Sequence, residues 1–217
     1  SDNTGEVLDH LATKYEKLRV VHLAQNQGKA MGLQAGSLMT DAEFLIGIDG
    51  DALLDPHAAQ WMIRHFLQNP TVAAVTGNPR IRTRSTLLGR IQVGEFSSIV
   101  GMIKRAQRTF GRLFTVSGVI TAFRKSAVHQ VDYWSPNMLT EDIDITWKLQ
   151  RAGWDVRFEP NALVWILMPE TLNGLWKQRL RWAMGGAQVL IKNIDVFAKP
   201  KLNFLWPLMF ELCLTLV

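Results

Sequence analysis

The chain has 217 residues, 47% apolar and 20% charged, which suits one substantial globular core or at most two small ones and argues against disorder over most of its length. A single cysteine, Cys213, excludes an internal disulfide framework and a cysteine-based zinc site. The formal charge of +5 suits an anionic partner: a phosphorylated substrate, a membrane surface or nucleic acid.

The chain opens on Ser1-Asp2-Asn3-Thr4 with no initiator Met and no signal peptide, and reads as a piece of a longer protein. Thr4 to Lys17 predicts an amphipathic helix. Leu18 to Leu23 (LRVVHL) predicts a short buried strand, and Gly28 to Met39 a helix rich in small residues. Glu43 to Ile48 (EFLIGI) predicts a second strand, and Pro56 to Gln68 a helix with Pro in its first turn. Val72 to Thr76 predicts a third strand, closed by Gly77-Asn78-Pro79. Such alternation implies a parallel α/β sheet.

The pattern then changes. Leu87 to Phe110 predicts a long, mostly helical stretch, and Phe114 to Phe123 a strand containing a glycine. Thr140 to Arg151 predicts a helix, Val156 to Leu167 a strand, and Thr171 to Ile191 a long amphipathic helix. Leu202 to Val217 is almost wholly apolar but shorter than the about 20 residues a spanning helix needs. With eight tryptophans against two tyrosines, this tail is expected to begin a membrane-crossing helix; the other reading is a buried C-terminal helix. The expected organisation is an α/β domain over 1–170, an amphipathic interfacial helix and linker over 171–200, and the start of a transmembrane segment over 201–217.

Asp49-Gly50-Asp51 follows the strand EFLIGI directly. Ligands of open α/β sheets bind beyond the carboxyl ends of strands, and two carboxylates there can share a divalent cation that a diphosphate completes. The bland reading is a solvated turn. Thr140-Glu141-Asp142 opens a helix, where Thr suits the N-cap and acidic residues suit the first turn. The functional reading makes Asp142 a general base for an attacking hydroxyl, with Glu141 positioning it. The chemistry of the two side chains does not separate them.

Gln178, Arg181 and Trp182 lie at i, i+3 and i+4 on one helix face. A guanidinium fork for phosphate, a stacking ring and an amide for hydroxyls meet there. The alternative is an interfacial helix with Trp and basic residues at the headgroup level. Leu172, Leu175, Trp176, Leu180, Ala183, Met184, Ala187 and Ile191 form its apolar stripe. In Asn26-Gln27-Gly28-Lys29-Ala30, Gly28 and Lys29 can meet a nucleotide phosphate at a helix start, although the spacing is not that of a P-loop. Arg80, Arg82 and Arg84 touch an anion or form a solvated loop. Ser117-Gly118 allows close approach of an acceptor or marks a bulge. The five histidines lack metal-ligand spacing.

Taken in order, NQGKA, DGD, TED and QRLRW resemble the processive family 2 glycosyltransferases, with the nearest likeness to their poly-N-acetylglucosamine branch. The resemblance runs from about Ser1 to Trp182, and Ser1 to Thr4 resembles the end of the family's first acidic motif. It implies a GT-A fold with a mostly parallel twisted sheet flanked by helices. It implies transfer of N-acetylglucosamine from UDP-N-acetylglucosamine, with inversion, to a growing β-1,6-linked polysaccharide. It assigns donor binding to Lys29, Asp49 and Asp51, metal (Mg²⁺ or Mn²⁺) to Asp49 and Asp51, the base to Asp142 beside Glu141, and the acceptor end and leaving diphosphate to Gln178, Arg181 and Trp182. It also implies the cytoplasmic face of a bacterial inner membrane, lipid contact, a small membrane partner subunit and a response to cyclic di-GMP. Because the family's first strand and acidic motif would precede Ser1, the 217-residue chain alone is expected to be inactive. Against this stand a related synthase with another UDP-sugar, a non-enzymatic membrane scaffold, and a nucleic-acid-binding module; the paired carboxylates argue against the last.

Overall fold

The structure is a computed structural model that describes residues 3–109 and 111–215. Three strands, β1 (Phe44–Ile48), β3 (Val72–Ile81) and β5 (Asp155–Ile166), run in one direction. The two-residue β2 (Leu53–Leu54) and β4 (Ile120–Arg124) run against them, in a five-stranded sheet of order β1-β4-β3-β5-β2. Only the β3–β5 pair is parallel. The expected mostly parallel sheet is therefore corrected to a mixed one. Strand–helix–strand alternation holds from β1 to β3, but β4 enters from the opposite end and wedges between them.

Strand predictions also change, and of Phe114 to Phe123 only Ile120 onward forms a strand. Leu18 to Leu23 is not in the sheet: Val21 and Leu23 are exposed, and His22 Nε2 meets Asp9 Oδ1 at 2.8 Å. A short apolar run does not by itself supply a ladder partner. Conversely, β3 continues past Thr76 to Ile81 through Gly77-Asn78-Pro79. Its register with β5 shifts between Thr76 and Asn78, where Gly77 passes so close to Ala162 that a Cβ would lie 2.7 Å from its carbonyl oxygen. Pro79 is tolerated because β4 pairs with β3 only across Ala74–Thr76, leaving Pro79 one ladder neighbour.

Helices cover both faces of the sheet. α1 (Thr4–Lys14) buries no residue. On one face α2 (Gly28–Leu38), α6 (Lys125–Gln130) and α7 (Glu141–Arg151) pack Ala30, Val128, Ile145 and Leu149 against Phe123 and Phe158. On the other, α3 (Ala58–Gln68) sets Met62 and Phe66 against Val75, Ile120 and Val164, with α4 (Leu87–Ser98) adding Phe96. The alternation of Ala122 and Phe123 between the two clusters is the period-2 pattern of a two-sided strand. A wide π turn, Ile99–Ile103, separates α4 from α5 (Lys104–Thr109).

The tail closes a third core. α8 (Leu172–Asn193) is capped by Thr171, whose Oγ1 accepts from the Gly174 N–H at 3.1 Å. Two 3₁₀ turns, Ile194–Ala198 and Pro200–Leu205, lead to α9 (Trp206–Thr215). Leu205, Leu208, Met209 and Leu212 pack on Ile143, Trp147, Val189 and Val196. Among the described residues no helix is long and apolar enough to cross a membrane. This overturns the expected start of a transmembrane helix and, with it, the expected inner-membrane placement. Leu208, Met209 and Leu212 of α9 are used in packing. The last two tail residues lie outside the described ones.

The docking of α8 does not use its predicted apolar stripe. α8 turns Gly185, Gly186, Val189 and Asn193 inward, while Leu172, Trp176, Leu180, Met184 and Ile191 of the predicted stripe stay exposed. Close backbone approach, not the apolar stripe, docks it: a Cβ on Gly185 would land on the Thr140 side chain at the start of α7.

Candidate active site

Because β1, β3 and β5 share a direction, their carboxyl ends open on one edge. Asp49 follows β1, Pro79 lies near the end of β3, and Ile166 ends β5; all three line a cleft of about 890 Å³, a size that suits a ligand. β4 begins at the same edge, so the loop before it delivers Ser117 and Gly118 to the cleft. The Asp49 N–H donates to the Val119 carbonyl at 3.2 Å, which ties the Asp49–Asp51 turn to that loop.

Lys29, in the first turn of α2, is the hinge of the arrangement. Its ammonium donates to Asp49 Oδ1 and, at 2.8 Å, to the Gly118 carbonyl, and lies 3.6 Å from Glu141 Oε1. Glu141 and Asp142 stand in the first turn of α7. Asp142 Oδ2 accepts from the Gly118 N–H at 3.2 Å, and Oδ1 from the Ile143 N–H at 2.9 Å. The Thr140 hydroxyl does not cap the helix; it is buried against α8 without a hydrogen-bond partner among the described residues.

Loss of water pushes both carboxyls up. For Asp142, burial is the leading cause, opposed by the Ile143 N–H, Lys104, Lys29 and the Gly118 N–H. For Glu141, burial again leads, followed by repulsion from Asp142, with Lys29 and Arg181 opposing.

Gln178, Arg181 and Trp182 form the opposite wall of the cleft. Gln178 Oε1 is buried without a hydrogen-bond partner among the described residues. The Trp182 ring is held by the Arg179 guanidinium 4.6 Å over it, and Arg179 is anchored by Glu95 Oε2 at 2.6 Å. Asp51 lines the cleft at its exposed lip. The structure thus brings Lys29, Asp49, Asp51, Glu141, Asp142, Gln178, Arg181 and Trp182 to one cleft. Arg82 and Arg84 are solvent-exposed.

Sequence reasoning missed the floor. Lys104 and Gln107 of α5 line the cleft, and Gln107 Nε2 donates to both Glu211 oxygens at 2.7 Å, so α9 contributes a carboxylate. The available signal was spacing within α5: Lys104 and Gln107 lie three residues apart on one helical face.

As a metal site, the pair Asp49 and Asp51 offers oxygen donors only. Among the described residues no group of three or more His, Cys, Asp or Glu side chains is placed to hold an ion. The pair therefore fits a hard cation that keeps water and takes phosphate oxygens, not an all-protein cage.

A family model described as "Glycosyltransferase like family 2" matches residues 1–185. The chain belongs to this glycosyltransferase family. Within the family it is 45% identical over 211 residues to poly-β-1,6-N-acetyl-D-glucosamine synthase of Staphylococcus epidermidis, covering 97% of this chain and 51% of the relative. The enzyme of the same name from Staphylococcus aureus strain N315 is 44% identical over the same length. The chain thus spans about half the length of these relatives. Among solved structures, the mannosyltransferase PcManGT from Pyrobaculum calidifontis, in complex with GDP-Man and Mn²⁺, aligns with 100% of this chain and 60% of its own at a TM-score of 0.75 and 20% identity. GalNAc-T7 with UDP, GalNAc and Mn²⁺ aligns with 77% of this chain and 36% of its own at 0.58 and 13% identity. At these identities the two structures establish the fold, a GT-A-like core on a mixed sheet.

Proposed function

We propose that the protein is a processive, inverting glycosyltransferase that moves N-acetylglucosamine from UDP-N-acetylglucosamine to a growing β-1,6-linked polysaccharide. The observation that carries this reading is the convergence of Asp142, Lys29 and Asp49 around Gly118 at the carboxyl edge of the sheet. The choice of sugar and linkage is supported by the 45% identity to the synthase of S. epidermidis.

In this mechanism Asp142 takes the proton of the acceptor hydroxyl as that oxygen attacks the anomeric carbon, and the UDP oxygen leaves from the opposite face. One direct displacement inverts the centre. A base works best when its proton affinity lies near the working pH, and burial moves Asp142 in that direction. Lys29 meets the diphosphate from the donor side and Arg181 from the α8 wall. Glu141 stands by Lys29 and within the field of Arg181, and so orients these cations rather than the proton transfer. Asp49 and Asp51 are the residues that would hold a divalent cation, Mg²⁺ or Mn²⁺, which would supply positive charge against the diphosphate. Trp182, clamped by Arg179, forms a rigid wall for the acceptor sugar, and Gln178 Oε1 accepts from one of its hydroxyls.

The test is UDP release by the full-length protein with Mg²⁺ and a panel of UDP-sugars, wild type beside Asp142→Asn. Release with UDP-N-acetylglucosamine alone, lost in the variant, is the expected result. Release only with another UDP-sugar overturns the donor assignment, and wild-type release by Asp142→Asn overturns the base.

A further inference from the structure

A buried lysine stands in the cleft without an assigned task. Lys104 is 8% exposed, lines the same cleft as Asp142, and has no hydrogen bond or ion pair among the described residues. Burying an ammonium without a bonded partner is costly, and such a group persists where a nearby opposite charge needs it. The backbone is also specialised at this point. The π turn Ile99–Ile103 ends where Lys104 begins α5. A turn of this kind takes in an extra residue and so rotates the next helical segment relative to a continued α-helix; π turns recur at functional sites.

We infer that Lys104 is a positioning residue for the reaction: it is the counter-charge that keeps Asp142 ionised inside the cleft, ready to accept a proton. The inference rests on the proposed base role of Asp142. The charges acting on Asp142 are Lys104 from α5, Lys29 from α2 and its neighbour Glu141, which also feels Arg181 from α8. Glu141 opposes ionisation. Lys29 is already divided among Asp49, the Gly118 carbonyl and Glu141. Among the described residues Lys104 bonds to no carboxylate, and Asp142, which shares its cleft, is the charge that acts on it. The relation is reciprocal: burial draws the Lys104 ammonium down to about 8, and Asp142 is the charge that holds it up. Above that pH Lys104 goes neutral and its support for Asp142 disappears.

The experiment compares pH profiles of UDP release by full-length wild type, Lys104→Met and Lys104→Arg, using whichever UDP-sugar the wild type turns over. In Lys104→Met the acid limb moves to higher pH and turnover at neutral pH falls about tenfold, regained as the pH is raised. Lys104→Arg keeps the acid limb and carries the alkaline limb above pH 8, because a guanidinium does not lose its proton there. Metal-dependent UDP binding, retained in both variants, excludes misfolding as the cause. A Lys104→Met profile with wild-type limbs, merely scaled down, overturns the inference. A second readout needs no turnover: competitive acylation, followed by mass spectrometry, reports the titration of Lys104 itself. Asp142→Asn lowers the pH at which Lys104 becomes reactive; an unchanged titration overturns the pairing. Failure of the wild type on every UDP-sugar defeats the transferase reading, while the acylation result still decides whether the two groups act on each other.

Discussion

The backbone of Gly118 joins Asp142 to Lys29 across the cleft: its N–H donates to Asp142 Oδ2 at 3.2 Å while its carbonyl accepts from Lys29 Nζ at 2.8 Å. A Cβ here would lie 3.2 Å from Asp142 Oδ2 and 3.3 Å from Lys29 Nζ. Gly118→Ala therefore pushes both groups off their places without entering a core. Each group need give by only a few tenths of an ångström, and since a shift of about 1 Å can cost about 10²-fold in rate, a smaller loss is expected here. The expected outcome is that loss of turnover with an unchanged melting temperature; full activity would show that the Gly118 bridge is incidental.

Asp142→Asn separates catalysis from stability. Loss of a general base costs about 10²–10⁴-fold in turnover, while donor binding persists. Burial raises the Asp142 carboxyl above the usual aspartate range, so the folded chain holds this proton more tightly than the unfolded one. The ionised group therefore costs stability; the cost is complete above the folded value and absent below the unfolded one. Asn carries no charge and escapes this cost, so the stability of the variant relative to wild type falls as the pH is lowered to the ordinary aspartate range of about 4. Melting curves across that range check the sign.

Asp51→Asn addresses the cation. Asp51 sits at the exposed lip, and Asp49 is engaged by Lys29, so removing one carboxylate leaves the turn and the Lys29 contact in place. Calorimetry of UDP binding with and without Mg²⁺ is the measurement. The variant is expected to lose the metal-dependent part of the affinity, about tenfold or more, and a chelator brings the wild type to the same level. Equal metal dependence in both proteins would move the cation elsewhere.

The elements that line the cleft were legible because each is a local pattern: carboxylates at a strand end, an acidic pair at a helix start, and a Gln–Arg–Trp face at helical spacing. The sheet order was not, because β4 lies between β1 and β3 through a long-range pairing, Leu45 opposite Phe123 and Ala74 opposite Phe123. Lys104 was hidden because a lone lysine in a helix is ordinarily solvated. The tail was ambiguous for a different reason. The apolar content of Leu202 to Val217 suits a lipid-facing helix and a buried one equally, and only the partners of Met209 and Leu212 distinguish them.

Gly185→Ala tests the seam between α7 and α8. An alanine methyl would fall 2.8 Å from Thr140 Cβ and closer still to the outer atoms of that side chain. Thr140 is itself buried, so relief requires the helices to separate. Overpacking of this kind costs about 1–3 kcal/mol. Because Thr140 precedes Glu141 and Asp142, turnover falls as well. A denaturation midpoint equal to that of the parent would mean that Thr140 has room to turn aside.

The packing of α9 has its own signature. Met209 is fully buried in the third core, whereas its neighbour Phe210 is 57% exposed. Truncating a buried methionine to alanine costs about 2–5 kcal/mol, and truncating an exposed side chain rarely more than about 0.5 kcal/mol. Denaturant unfolding of the 217-residue chain is therefore expected to rank Met209→Ala well below Phe210→Ala. Hydrophobicity does not produce this order, since phenylalanine is the larger apolar side chain; burial against Ile143 and Trp147 does. Equal effects of the two substitutions would mean that α9 does not hold this register on the core, and would detach Glu211 from Gln107 and from the floor of the cleft.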